Sequence, residues 1–150
     1  MAKKKAFSLI EVLVFITILS LFFVAAMTVT TFSLRNMKSS EYKILAAHLA
    51  EEGIEWVKSE KEADWSQFTI HGSLSGTTYC LNSLDWGTPN PDGCKESYDL
   101  GKPAIFKREL KVDNQTGNPI TATDIELTVS WTDGTTVFKV PVKTVLTVWE

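Results

Sequence analysis

At 150 residues, 44% of them hydrophobic, and with a formal net charge of −3, the chain is long enough for one packed domain and too short for two once an apolar N-terminal stretch is set aside. Losing Lys3, Lys4 and Lys5 would take that charge to −6, which argues against nucleic acid as a direct partner of the remainder. The 2 cysteines, Cys80 and Cys94, form a single possible pair, which in an exported chain reads as a disulfide rather than a metal site.

The chain opens on KKKAFSLIEVLVF, residues 3–15, three lysines followed by apolar residues and a single carboxylate, Glu11. Between Glu11 and Arg35 lie 23 residues without a charge. As a helix they extend about 35 Å at about 1.5 Å per residue, enough to cross a hydrocarbon core of about 30 Å. The lysines ahead of this stretch, with no comparable basic cluster directly after it, place the N-terminus in the cytoplasm and residues beyond 35 outside it. Three readings compete: an uncleaved signal anchor, a secretory signal peptide cut after Val24-Ala25-Ala26, and a prepilin leader. Glu11 discriminates among them, because a carboxylate in hydrocarbon is costly without a positive partner and a simple anchor gains nothing from it. The blander account is that Glu11 marks the water edge of the helix.

The sequence KKKA|FSLIEVLVFITILSLF, within residues 3–34, resembles the type IV prepilin signal. The resemblance implies cleavage by a membrane prepilin peptidase between Ala6 and Phe7, N-methylation of Phe7, and a role for Glu11 in compensating the terminal amine of a neighbouring subunit during filament assembly. It also implies the type IV pilin fold, in which one long N-terminal helix has a membrane half and an amphipathic half. Ala6 stands where that family usually has Gly, and Thr28, Val29, Thr30 and Thr31 occupy the region where many of its members carry a helix-kinking Pro.

The expected organisation is a leader at 1–6, a transmembrane and assembly half of the helix at 7–34, and an extracytoplasmic headpiece at 35–150. Within the headpiece, an amphipathic helix is expected over 38–62. Its apolar stripe runs through Tyr42, Leu45/Ala46, Leu49/Ala50, Gly53 and Trp56/Val57. Gly53 inside that stripe costs about 1 kcal/mol as a helix residue and so points to close approach of a sheet. Glu51 and Glu52 read as a solvated face. The segment AEEGIE further resembles the second half of the helix in minor pilins and pseudopilins.

Residues 65–103 are rich in turn formers, with short strand candidates at 68–71 and 77–82. A Cys80–Cys94 disulfide would staple the loop that carries Trp86, closing a ring of about 15 residues that contributes about 3 kcal/mol in the chain-entropy model. Trp86 either packs into the core or faces a neighbour. Over 104–149 the pattern is an antiparallel meander. Phe106, Leu110 and Val112 share a face, as do Ile125, Leu127, Val129 and Trp131 at period two. Asp133-Gly134 as the two central turn residues would pair Val129 with Phe138, Leu127 with Val140 and Ile125 with Val142. Pro141 marks a sheet edge or a bulge. Val145, Thr147 and Trp149 fall on the alternate face, open to a neighbour. The apolar side of the meander is expected to pack on the helix stripe, an α+β arrangement.

Catalytic chemistry has no sequence support. His48 and His71 have no cysteine or acid at ligand spacing, DNQTGNP over residues 113–119 lacks the Gly and Glu placement of a calcium loop, and no nucleophile sits with base support. No cofactor and no metal site are expected. The reading is a non-enzymatic structural subunit, a minor pilin or pseudopilin of a type IV pilus or type II secretion-like filament. Its expected partners are the prepilin peptidase, other pilin subunits through the N-terminal helix, and the cytoplasmic membrane in a single pass before assembly. The rival is a membrane-anchored or secreted binding domain whose N-terminus is only a signal.

Overall fold

The structure, a computed structural model, describes residues 8–94 and 99–149. Its elements are α1 (Leu9–Ala63), α2 (Trp65–Ile70), β1 (Thr77–Cys80), β2 (Phe106–Asn114), β3 (Ala122–Asp133) and β4 (Thr136–Thr147). The chain divides into two compact units, Met1–Glu41 and Tyr42–Glu150. Residues 9–41 of α1 therefore belong to the first and residues 42–63 to the second. The fold is α+β: a long N-terminal helix packed, within the second unit, on a four-stranded antiparallel sheet.

The sheet has the order β1-β2-β3-β4, so each strand pairs with the one before it. Alternation explains its two faces. Phe106, Leu110 and Val112 of β2 are buried together with Ile125, Leu127, Val129 and Trp131 of β3. The edge strand β4 turns Phe138, Val140 and Val142 toward the same core, where they are partly buried. Trp131 stacks on Phe138 at 5.4 Å and meets the edge of Phe106 at 5.7 Å, and Tyr42 of the helix closes on Phe106 at 6.0 Å.

Two expectations fail locally. Residues 68–71 are not a strand: Phe68 lies in α2 and His71 caps it. Asp64 is the N-cap, accepting the Gln67 backbone N–H at 3.1 Å, and Asp64 with Gln67 three residues on is a helix-start pattern that outweighed the short apolar run. The β3–β4 register also differs by two residues from the expected one. Val129 pairs with Val140, Leu127 with Val142, and Trp131 with Phe138. Asp133 joins the ladder opposite Thr136, and Gly134, with φ of 61°, takes the first central turn position. A shift of two leaves every side chain on its face, whereas a shift of one would have inverted them all.

On the helix, Ala46, Ala50, Gly53 and Val57 are buried, and Leu45, Leu49 and Trp56 flank them. The small residues set how close the helix comes. A Cβ on Gly53 would lie 2.5 Å from Leu127 Cδ1 and 2.9 Å from Arg108 Cδ, so the expected close approach is real. Gly53→Ala should therefore destabilise the protein by about 1–3 kcal/mol through overpacking, against a helix-propensity gain of about 1 kcal/mol. Thermal or urea unfolding of the variant gives the sign directly, since a stabilised Gly53→Ala would show that the contact relaxes freely.

Candidate assembly surface

Glu11 lies in the first turn of α1, where the unpaired N–H groups of a helix end favour an acidic side chain. The Ser8 carbonyl accepts from the backbone N–H of both Glu11 and Val12, at 3.0 and 3.3 Å. Downstream, the next charge of either sign is Arg35, about 36 Å away along a helix. No cation within the apolar stretch can neutralise Glu11.

The segment is apolar on every side. Val12, Leu13, Phe15, Ile16, Leu19 and Phe22 cover about half of its circumference and Val14, Ile18 and Leu21 the other half, each between 40% and 71% exposed. Five of its six hydroxyls are consumed locally. Thr28, Thr30 and Thr31 donate to the carbonyls of Val24, Ala26 and Met27 at 2.9 Å, and Thr17 and Ser20 donate three residues back. Such back-bonding removes the need for an outside partner, so these residues behave as small apolar groups in a low-dielectric surrounding. The helix continues unbroken through 28–31. By length and composition α1 can cross a membrane.

In the second unit the structure joins Cys80 to Cys94, with Cα atoms 5.6 Å apart. The enclosed loop is fastened at its far end to the sheet surface. The Cys94 N–H donates to Glu109 at 2.6 Å, and the Lys107 ammonium donates to the Cys94 carbonyl at 2.6 Å. Its middle is fastened to the core side by Trp86, whose indole N–H donates to Glu60 at 2.7 Å and whose ring packs on Trp56 at 4.9 Å and Tyr79 at 5.2 Å. Of the two readings for Trp86, the structure places it in this half-buried aromatic cluster.

His71 belongs to the same cluster. Its ring stacks flat on Trp86 at 4.0 Å, and its carbonyl accepts the Tyr79 hydroxyl at 2.9 Å. Burial pushes the imidazole below its ordinary 6.5, and Glu60 pulls weakly the other way. The unfolded chain therefore takes up the proton more readily. The stability tied to the neutral ring is present above 6.5 and is lost as the pH falls below it toward the lower folded value. Unfolding midpoints measured between pH 7.5 and 5 should fall more steeply for the wild type than for His71→Phe, and equal slopes would contradict this assignment. His48, by contrast, is exposed beside Glu51 at 3.6 Å.

Sequence reasoning missed Arg108. It shares the inward face with Phe106, Leu110 and Val112 and is only 1% exposed. Its guanidinium donates to the Leu81 carbonyl at 2.8 Å, the Leu49 carbonyl at 2.7 Å and the Glu52 carboxylate at 2.9 Å. Glu52 is thus the half-exposed end of an ion pair rather than a purely solvated acid, while Glu51 is solvated as expected. The parity of position 108 was the available signal. Asn114 repeats the theme at the end of β2, bonding the Thr69 carbonyl and the Thr123 hydroxyl.

Residues 1–27 match the family model for the prokaryotic N-terminal methylation motif. The N-terminal region is that of a type IV pilin-like prepilin. The prepilin motif ends inside the apolar helix and carries Glu11, while Ala6 and Phe7, the expected cleavage and methylation positions, lie outside the described residues. No curated protein and no solved structure matches the chain. The methylation motif and the long apolar helix fit a membrane-anchored precursor, and the motif implies processing by a prepilin peptidase.

Proposed function

We propose that this chain is a structural filament subunit, a minor pilin or pseudopilin, made as a single-pass prepilin with its N-terminus in the cytoplasm. Prepilin peptidase cuts between Ala6 and Phe7, Phe7 is N-methylated, and the mature protein leaves the bilayer by packing its helix among those of other pilin subunits. The observation that carries this reading is the methylation motif over residues 1–27, set on a helix that is apolar on every side except for Glu11. A helix greasy all round is suited first to lipid and then to a bundle of like helices, and the exchange buries the same surface in both settings. Cleavage removes Lys3, Lys4 and Lys5 and creates one new cation, the amine of Phe7, four residues before Glu11. An ammonium and a carboxylate in that surrounding attract strongly, and either is costly alone. Glu11 thereby selects which amine, and so which neighbour, a subunit accepts.

Intact mass of the protein extracted from membranes tests the reading. Loss of residues 1–6 with one added methyl group is the expected result. A start at Met27 identifies a secreted product, an uncut chain identifies a signal anchor, and either outcome removes the filament-subunit assignment.

A further inference from the structure

The order β1-β2-β3-β4 leaves two sheet edges, and the chain treats them differently. The β1 edge is covered by the disulfide-closed loop, whose Asn90 N–H donates to the Thr78 carbonyl at 2.7 Å. Among the described residues, β4 pairs with β3 alone, and its other side is open along Thr136–Thr147. The direction of its backbone groups follows from the pairing. The hairpin closes on Asp133 and Thr136, and just past the strand Val148 donates its N–H to the Thr121 carbonyl at 3.2 Å. Even-numbered residues of β4 thus exchange bonds with β3, and the backbone groups of Val137, Lys139, Pro141, Lys143 and Val145 point away from the sheet.

An open row of this kind, on the strand TVFKVPVKTVLT, is a template for a second strand: most of its residues are β-branched, and Val137 and Val145 are about half exposed. Three residues interrupt it. Pro141, at its centre, has no N–H to offer, and the exposed Lys139 and Lys143, the latter also within 3.1 Å of the half-exposed Glu126 carboxylate, stand two positions to either side. We propose that Pro141, Lys139 and Lys143 together keep the β4 edges of two copies of this chain from pairing. In an antiparallel pair centred on residue 141, two prolines would face each other where two hydrogen bonds are required, and each Lys139 would lie opposite the Lys143 of the other copy. Sliding the register by two residues still leaves the carbonyl opposite each proline without a donor. The device acts on the sheet alone and holds whether or not the helix polymerises.

The test is sedimentation of the full chain in detergent micelles over a range of protein concentrations. It compares wild type with Pro141→Thr and with the triple change Pro141→Thr, Lys139→Thr, Lys143→Thr. Any association through the helix is common to all three, so a difference reports the edge. The triple variant is expected to dimerise at least about tenfold more tightly than wild type, as two restored hydrogen bonds imply. Pro141→Thr alone should shift in the same direction by less. Amides of residues 139, 143 and 145 should gain protection from hydrogen exchange in the dimer. Either of two results overturns the proposal. One is association equal to wild type in a variant with an intact Cys80–Cys94 disulfide and unchanged circular dichroism. The other is tighter association without protection at those amides. If the triple variant does not fold, Pro141→Thr is judged by the same two criteria.

Discussion

In a Glu11→Ala strain, the precursor is expected to insert in the membrane and fold its second unit as the wild type does, while the protein disappears from sheared filaments. The two parts of this result have separate causes. Insertion depends on the uncharged stretch between Glu11 and Arg35, which the substitution lengthens. The second unit, from Tyr42 onward, has a core to which Glu11 contributes nothing. Assembly instead would leave the amine of Phe7 without its carboxylate in an apolar surrounding. Stranding one member of a buried pair costs about 3–5 kcal/mol, or about a hundredfold to a few thousandfold in association at about 1.4 kcal/mol per factor of ten. Glu11→Gln keeps the shape and loses the charge, so it should fail almost as badly, and Glu11→Asp should be partly active. Immunoblots of the sheared and membrane fractions measure the partition, and unchanged incorporation of Glu11→Ala would dispose of the pairing role.

The second large effect is expected at Arg108. Arg108→Ala removes a long buried side chain that fills space beneath Gly53, takes the Arg108 donor from the Leu81 carbonyl and leaves the Leu49 carbonyl with its helical partner alone. Lost packing and the lost Leu81, Leu49 and Glu52 bonds together should lower stability by about 3–5 kcal/mol. Its partner behaves differently. The Glu52 side chain is 53% exposed and rehydrates, but Glu52→Gln leaves the buried Arg108 guanidinium without its carboxylate while keeping a hydrogen-bond acceptor, so it should cost about 1–2 kcal/mol, less than Arg108→Ala. Arg108→Met is expected to fall between the two, because it restores volume without the hydrogen bonds. Urea unfolding of the three variants ranks them. An Arg108→Ala midpoint close to that of Glu52→Gln would mean that the guanidinium is dispensable and that the helix–sheet contact rests on Leu127 and its apolar neighbours.

Period-two alternation in β2 and β3 was enough to place Phe106, Leu110, Val112, Ile125, Leu127, Val129 and Trp131 in the core, because the side-chain faces of a strand follow from the backbone alone. Gly53 was legible for a related reason: a residue that costs helix stability in mid-stripe needs a steric cause. The register of β3 on β4 was less legible. Asp133-Gly134 fits a two-residue turn either as its centre or with Asp133 as the last ladder residue, and both keep the apolar face intact. Arg108 was hidden by its charge, since a guanidinium enters a core only when specific carbonyls await it, and Leu49 and Leu81 lie 59 and 27 positions away in the chain. The proposed assembly residue stands apart. Glu11 was identified by resemblance and by the cost of its charge, and the packing of the second unit has no bearing on it.

The succession of strands has a kinetic consequence. Each pairs with its immediate predecessor, so β2, β3 and β4 can zip together as two consecutive hairpins, events that take about 1–10 μs in isolated hairpins. Seating residues 42–63 of α1 on that platform requires closing a far longer stretch of chain, as the 59-position span from Leu49 to Arg108 shows. Refolding jumps should therefore find that changes within the hairpins slow folding, whereas changes at Gly53 mainly hasten unfolding. The expected order is sheet first, with the helix seated afterwards on a surface already shaped for it.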